Sequence, residues 1–222
     1  MGFKLELENV GKSYQEKPVF QGLSARFLPG VSYIIAGPNG SGKSTLLRII
    51  CGLLRPSLGR VTAEFNGTEA GGPYERGLYM GYLSPELQLY NRLTAYENLE
   101  FFGAVRGLGL QGPEVESLLE KVQLKDSMHL PAGAFSSGMK QRLKLAFALI
   151  HRPFVLLLDE PSTNLDAAGK ALVVEIIEEQ LGRGTVITAS NDPEEVDRFG
   201  QEIIRLGQGT AGAAVERSDG GV

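Results

Sequence analysis

The stretch "VSYIIAGPNGSGKST", residues 31–45, decides the fold of this chain. Residues 31–37 form a continuous apolar run that is too short for a helix and stops at Gly-Pro, which predicts a buried strand. A helix is expected from Lys43 to about Leu54, closed by the Pro and Gly that follow it. The loop between strand and helix fits the pattern G-x-x-x-x-G-K-[ST] in the setting that supports it.

This loop predicts a phosphate-binding site. Glycines let the backbone bend until successive N–H groups point into one concavity, which at a helix N-terminus attracts phosphate oxygens. Lys43 is placed to neutralise the β- and γ-phosphates, and the Ser44 hydroxyl to coordinate Mg²⁺. The alternative, a glycine-rich turn with a chance lysine, does not explain so many fitting residues. The predicted nucleotide contacts here are Gly37, Pro38, Asn39, Gly40, Ser41, Gly42, Lys43, Ser44 and Thr45.

An acidic pair ends the apolar run "FVLLLDEP", residues 154–161. In an open α/β sheet, ligands bind beyond the carboxyl ends of the strands. Asp159 can therefore hold Mg²⁺ through its water shell, and Glu160 can polarise a water that attacks the γ-phosphate. An apolar strand that ends in acidic residues is common by itself, so the phosphate loop is what gives the pair its meaning.

The third motif is "AFSSGMKQRLKLA", residues 134–146, where three small residues precede a predicted helix. A helix whose first turn is free of bulky side chains offers bare N–H groups and a positive dipole end to an anion. Ser136 adds a hydroxyl donor, and Gly138 permits close approach of a phosphate. The alternative is that Ser136 only caps its own helix.

The remaining pattern alternates apolar β-branched runs with helical segments, as in an α/β fold. A hairpin-like region opens the chain, and residues 86–132 are mostly helical and look inserted between sheet elements. Buried strands are expected at 154–161 and 185–192, with a helix between them and a last strand at 201–206. Residues 207–222 are Gly- and Ala-rich without periodicity, which predicts a disordered tail.

Composition excludes several classes. The chain has 222 residues with 42% hydrophobic and 22% charged, which is ordinary for a soluble globular protein. No apolar run reaches the ~20 residues that span a bilayer. A single cysteine, Cys51, excludes an internal disulfide and favours a reducing cytoplasm. A net charge of −4 without a basic block argues against a nucleic-acid partner.

Together the motifs resemble the ATP-binding subunits of ABC transporters, over nearly the whole chain. "GPNGSGKST" and "FVLLLDE" are similar to the family's Walker A and B elements, and "FSSGMKQRLKLA" stands at the place of its LSGGQ signature. "STNLD", residues 162–166, resembles the D-loop. The "CGLLRPSLGRV" segment and the compact size look most like exporter-type ATPases, including those of haem export in cytochrome c maturation and of ABC-2 systems.

The resemblance implies a P-loop NTPase core with a mostly parallel sheet, an antiparallel β subdomain and an inserted helical subdomain. The ATPase domain is expected to span residues 1–206. Residues 1–85 and 133–206 would form the core with its β subdomain, and 86–132 the helical insert.

The family also implies a function. The chain would bind and hydrolyse ATP with Mg²⁺ and energise a separate transmembrane permease, from a cytoplasmic position on the inner face of the cell membrane. It would act as a homodimer or with a paired ABC ATPase subunit, head to tail. The alternative is a soluble ABC ATPase without a permease, of the iron–sulfur-cluster assembly or chaperone-like kind. A small P-loop kinase or GTPase would not need the "SSGMKQR" element.

Family roles carry over to further residues. Tyr14 is at the place of the aromatic that stacks on adenine, although a partly buried strand aromatic fits the spacing nearly as well. Ser136, Ser137 and Gly138 would contact the nucleotide held by the partner's phosphate loop.

Three departures from the family pattern carry information. The signature has Ser137 for its first glycine and Met139 for its glutamine. Glu86 occupies the place of the Q-loop glutamine, with Gln88 as the other possible register, and a carboxylate there needs Mg²⁺ between itself and the phosphate. Asn191 stands where the family has its switch histidine, and it can donate a hydrogen bond but cannot carry a proton-dependent charge. Slower hydrolysis is therefore expected.

Overall fold

The structure is a computed structural model that describes residues 2–207 and 214–217. The strands are β1 Phe3–Tyr14, β2 Lys17–Phe27, β3 Ser32–Ala36, β4 Leu58–Phe65, β5 Thr68–Glu69, β6 Met80–Leu83, β7 Val155–Asp159, β8 Thr185–Ser190, β9 Glu202–Arg205 and β10 Ala214–Arg217. The helices are α1 Lys43–Ile50, α2 Pro73–Gly77, α3 Ala95–Val105, α4 Gly112–Lys121, α5 Ser137–Leu149, α6 Ala167–Leu181 and α7 Pro193–Phe199. The predicted α/β class is confirmed.

A six-stranded sheet forms the centre, in the order β10-β9-β3-β8-β7-β6. Its members are parallel except β10, which runs antiparallel to β9. Side chains alternate between two apolar cores, so Ile34 belongs to one and Ile35 to the other. Because β3, β7 and β8 are parallel, the phosphate loop, Asp159 and Asn191 follow their strands at one edge of the sheet. That edge is where open α/β sheets bind ligands.

A second, antiparallel sheet has the order β2-β1-β4-β5. Its β1–β2 hairpin turns at Gln15 and Glu16, whose φ angles are 47° and 66°. Two consecutive positive φ values match the tight turn whose twist suits a hairpin. The turn carries Tyr14 on one strand and Val19 on the other to the same side of the phosphate loop.

The helical insert packs on the core through α5. Two buried residues of the insert, Leu99 of α3 and Leu119 of α4, belong to the same apolar cluster as Leu143 of α5. The insert therefore shares its core with one face of the central sheet. No helix among the described residues has the length and apolar content to cross a bilayer.

The helix after the phosphate loop is shorter than expected. It ends at Ile50 rather than near Leu54, because Gly52 adopts a φ of 82° and turns the chain. The Arg76 guanidinium then donates to the carbonyls of Ile49 (3.2 Å) and Ile50 (2.9 Å), which satisfies the helix end. This partner comes from a distant segment, so the sequence pattern around the helix carried no sign of it.

The disordered tail expected at 207–222 is wrong in one part. Residues Ala214–Arg217 pair with β9 and extend the central sheet. The rest of that prediction lies outside the described residues, apart from residue 207.

Candidate nucleotide-binding and catalytic site

An open cleft of about 340 Å³ lies where the phosphate loop meets the end of β7. Its size is in the range of small-ligand pockets. Two elements far apart in sequence line it, the β1–β2 hairpin and the loop before α1, together with the residue after β7. The lining residues are Tyr14, Val19, Asn39, Gly40, Gly42, Lys43, Ser44, Thr45 and Glu160.

The loop conformation depends on Gly42, which precedes α1 with a φ of 98°. A Cβ atom at this position would lie 2.5 Å from Val19 Cγ1, so any larger residue would be strained and would also push the hairpin away.

Lys43 is 5% exposed, and its ammonium donates to the carbonyls of Gly37 (2.8 Å) and Pro38 (3.2 Å). An ammonium has three donors, so one remains for a phosphate oxygen.

Three of the loop residues predicted as nucleotide contacts do not line the cleft: Gly37, Pro38 and Ser41. The Ser41 side chain is 2% exposed, and its N–H donates to the Pro38 carbonyl at 3.1 Å. These residues shape the loop from behind because the chain must turn back on itself to aim the following N–H groups outward. The prediction treated all nine loop positions alike, and the structure divides them into lining and support.

The Ser44 hydroxyl donates to Asp159 Oδ1 at 3.0 Å, which joins the start of α1 to the end of β7. Asp159 is 1% exposed, and this burial raises the pKa of its carboxyl, while hydrogen bonds from Ser44 and Tyr82 oppose the shift. A hydroxyl and a carboxylate are the hard oxygen donors that Mg²⁺ prefers. Among the described residues no group of three or more His, Cys, Asp or Glu could hold a metal. The pair therefore fits an ion that takes its remaining ligands from nucleotide and water.

Glu160 reaches the cleft through a strained turn. Its φ is 49°, in the left-handed region that a residue with a side chain rarely adopts. Its N–H donates to the Ala189 carbonyl at 2.9 Å, and Gln141 Nε2 of α5 donates to the Pro161 carbonyl at 3.1 Å. The turn is thus tied to both β8 and α5, which holds the carboxylate over the cleft instead of letting it follow the strand direction.

A family model described as "ABC transporter" matches residues 20–163. The chain belongs to the ABC transporter family.

Relatives support the assignment. The chain is 36% identical over 203 residues to the daunorubicin resistance ATP-binding protein DrrA3 of Streptomyces coeruleorubidus, covering 90% of this chain and 64% of DrrA3. It is 37% identical over 197 residues to the cytochrome c biogenesis ATP-binding export protein CcmA of Rhizobium johnstonii, and the match covers 86% of this chain and 89% of CcmA. The chain thus spans less than two thirds of DrrA3.

Solved structures agree. The dimeric post-hydrolysis structure of the ATP-binding cassette MJ0796 bound to ADP and Pi matches with a TM-score of 0.84 at 25% identity, over 98% of this chain and all of that one. The ABC ATPase architecture expected from the motifs is confirmed, and the chain is an ATP-binding protein of this family.

In this ABC ATPase, Asn191 directly follows β8. Its Nδ2 donates to Asn39 Oδ1 at 2.8 Å, so the segment after β8 is joined to the phosphate loop. Asn191 does not itself line the cleft but contacts a residue that does, and its role toward a phosphate stays a prediction.

Tyr14 is half exposed, at 50%, on the rim of the cleft. The ammonium of Lys12 lies 5.1 Å from the centre of its ring. Tyr14 is thus a half-exposed residue at the end of a strand and also lines the cleft, and its stacking on adenine stays a prediction.

The signature residues lie apart from the cleft lining. Ser136 and Ser137 are exposed, and Ser136 Oγ accepts the Met139 N–H at 3.2 Å. Ser136 therefore caps its own helix, and its hydroxyl proton remains available to donate, so its contact with a nucleotide stays a prediction. Gly138 has a packing role as well: a Cβ atom there would lie 3.0 Å from the carbonyl oxygen of Asn164 in the D-loop.

Glu86, predicted at the metal site, has a partner within the chain. Its carboxylate pairs with Arg48 of α1 and is 71% exposed, while both oxygens of Asp159 are bonded by Ser44 and Tyr82. A role of Glu86 at the metal stays a prediction. Gln88, the other register, is exposed.

Sequence reasoning missed four residues that contribute to the site: Val19, Arg48, Tyr82 and Gln141. Each is on a regular strand or helix and meets the site only through tertiary packing. The position of Gln141 within the signature segment could have marked it as a candidate site residue, but its contact with the Glu160 turn is visible only in the fold.

Proposed function

We propose that this chain is the ATP-hydrolysing subunit of an ABC transporter and works as a head-to-tail dimer. The observation that carries the proposal is the separation of two nucleotide-binding elements. The cleft is lined by the phosphate loop and Glu160 but by no signature residue, whereas Ser136 and Ser137 are exposed at the start of α5. Two copies related by a twofold axis complete each other's sites because each supplies both elements.

We infer a role for each residue that lines or adjoins the cleft. Lys43 and the loop N–H groups bind the phosphates, and Ser44 with Asp159 would hold Mg²⁺, which when bound supplies charge neutralisation on the phosphate oxygens. Glu160, tied to β8 and α5, accepts the proton of the attacking water. Asn191 donates a hydrogen bond to a phosphate oxygen from its place beside Asn39.

A groove of about 230 Å³ beside the helical insert supports docking on a permease. Leu53 lines the groove and is 63% exposed. Val105 and Tyr74 precede or follow the lining residues Arg106 and Pro73 in the sequence and are 67% and 77% exposed. Inside it, the Arg106 Nη2 atom lies 3.2 Å from His151 Nε2. Arginine can only donate, and burial lowers the pKa of His151 to about 4, so His151 is neutral and accepts. An apolar groove with one cation fits an amphipathic cytoplasmic segment of a membrane protein.

The docking proposal places the protein on the inner face of the cell membrane. The test is co-purification from detergent-solubilised membranes with a multi-span protein. A Val105→Glu change should abolish it, and Leu58→Glu, at a leucine 54% exposed elsewhere, should not. Recovery of soluble partners only, unaffected by Val105→Glu, would favour the alternative of an ABC ATPase without a permease.

The dimer is tested with Glu160→Gln, which removes the base and retains the shape of the site. With Mg-ATP this variant should sediment as a dimer and without nucleotide as a monomer. A variant that binds Mg-ATP but stays monomeric at every accessible concentration would contradict the shared-site arrangement.

A further inference from the structure

Tyr82 connects two places that the proposed function treats separately. It is a residue of β6, and its ring lines the groove beside the helical insert, near Leu87 and Phe147. Its hydroxyl donates to Asp159 Oδ2 at 3.2 Å. The other oxygen of Asp159 accepts from Ser44. One side chain therefore forms the wall of the groove and fixes half of the buried carboxylate.

The direction of this hydrogen bond is set by the carboxylate. A carboxylate oxygen can only accept, so the single phenolic proton of Tyr82 points at Asp159. Arg48, on the same helix as Ser44, forms a salt bridge with Glu86.

The segment that follows Tyr82 in the sequence is anchored as well. Lys144 of α5 donates to the Pro85 carbonyl at 2.6 Å, immediately before Glu86 in the sequence. The Glu86 N–H donates to Ser84 Oγ at 3.3 Å. The segment that carries Glu86 is thus held between α1 and α5, and Arg48 is held by a carboxylate instead of being free in solvent.

We propose that Tyr82, through the hydroxyl that donates to Asp159 Oδ2, is a positioning residue for the metal-holding carboxylate of Asp159. The inference rests on the proposed nucleotide site. A buried carboxylate can rotate about its terminal torsion, and within the described part of the chain two side-chain hydrogen bonds, from Ser44 and Tyr82, fix it. Removing the Tyr82 hydroxyl leaves one oxygen unpaired and the plane of the carboxylate less defined, at the point where metal geometry is most exacting.

The experiment measures binding in the full chain, without turnover. The dissociation constant of a fluorescent, non-hydrolysable ATP analogue is determined with excess Mg²⁺ and with EDTA, and the ratio reports the contribution of the metal. Tyr82→Phe removes only the hydroxyl and should lower this ratio about five- to tenfold, with binding in EDTA unchanged. Tyr79→Phe, on a neighbouring tyrosine that stacks on Phe65, is the matched control and should leave the ratio at the parent value.

A Tyr82→Phe ratio equal to the parent's, or an equal drop in Tyr79→Phe, would overturn the inference. A parent protein that binds the analogue equally with Mg²⁺ and EDTA would overturn the proposed metal site itself.

Discussion

The start of α1 and the start of α5 are both helix N-termini preceded by small residues, but they differ in how the first N–H groups are capped. Gly42 before α1 has no side-chain cap, whereas Ser136 before α5 caps its own helix through the Met139 N–H. The first is walled by Val19 and Glu160, and the second is exposed. The enclosed terminus leaves its N–H groups for a ligand of its own, while the open one needs a second surface.

The largest expected effect concerns the enclosed terminus. Lys43→Met should weaken ATP binding to the isolated chain about 100-fold, because a charge-assisted contact with the phosphates is lost. Titration with a fluorescent ATP analogue measures this. Lys140→Met, on α5, is the matched lysine outside the cleft and should bind normally. If Lys43→Met bound ATP with an affinity within twofold of the parent's, the N-terminus of α1 would not be the phosphate-binding terminus that distinguishes it from that of α5.

A smaller effect is expected at the open terminus. Ser136→Ala and Thr94→Ala each delete a serine or threonine cap that accepts an N–H at about 3.1–3.2 Å, so both should lose about 1 kcal/mol of stability. Only Ser136→Ala should also weaken the ATP-dependent dimer, about tenfold. Sedimentation in the Glu160→Gln background distinguishes them. If both variants weakened the ATP-dependent dimer equally, Ser136 would act only as a helix cap and would not contribute to the dimer site.

The smallest effect concerns the residue after β8 that contacts the enclosed terminus. Asn191→His should raise the single-turnover hydrolysis rate a few-fold, because an imidazole can carry a charge toward the phosphate where the amide cannot. Asn191→Gln retains an amide and should give no gain. An unchanged rate in Asn191→His would mean that Asn191 is not what slows hydrolysis.

Short sequence patterns predicted those parts of the site whose residues are consecutive in the sequence. The phosphate loop, the strand that ends in Asp159 and the helix that follows residue 136 were each visible as a motif between recognisable elements. The pattern could not separate Ser41, which is buried behind the loop, from Ser44, which lines the cleft. That difference depends on how the loop turns in space.

The parts that could not be predicted depend on distant partners. The end of α1 is set by Arg76, and the orientation of Glu86 by Arg48. Tyr82 reads as an ordinary residue of a strand, and its bond to Asp159 exists only because β6 and β7 are neighbours in the sheet. Family resemblance placed Glu86 at the metal, and a salt bridge within the chain gave it a different partner.

The most direct test of the shared site uses two differently tagged chains in the Glu160→Gln background, one with Asn39→Cys in the cleft and the other with Ser137→Cys at the open terminus. Native Cys51 is 7% exposed and burial raises its thiol pKa to about 11, so it should not react. A short bismaleimide should link the two chains with Mg-ATP and not without it. An absence of linked heterodimer with Mg-ATP bound to both chains would contradict the account.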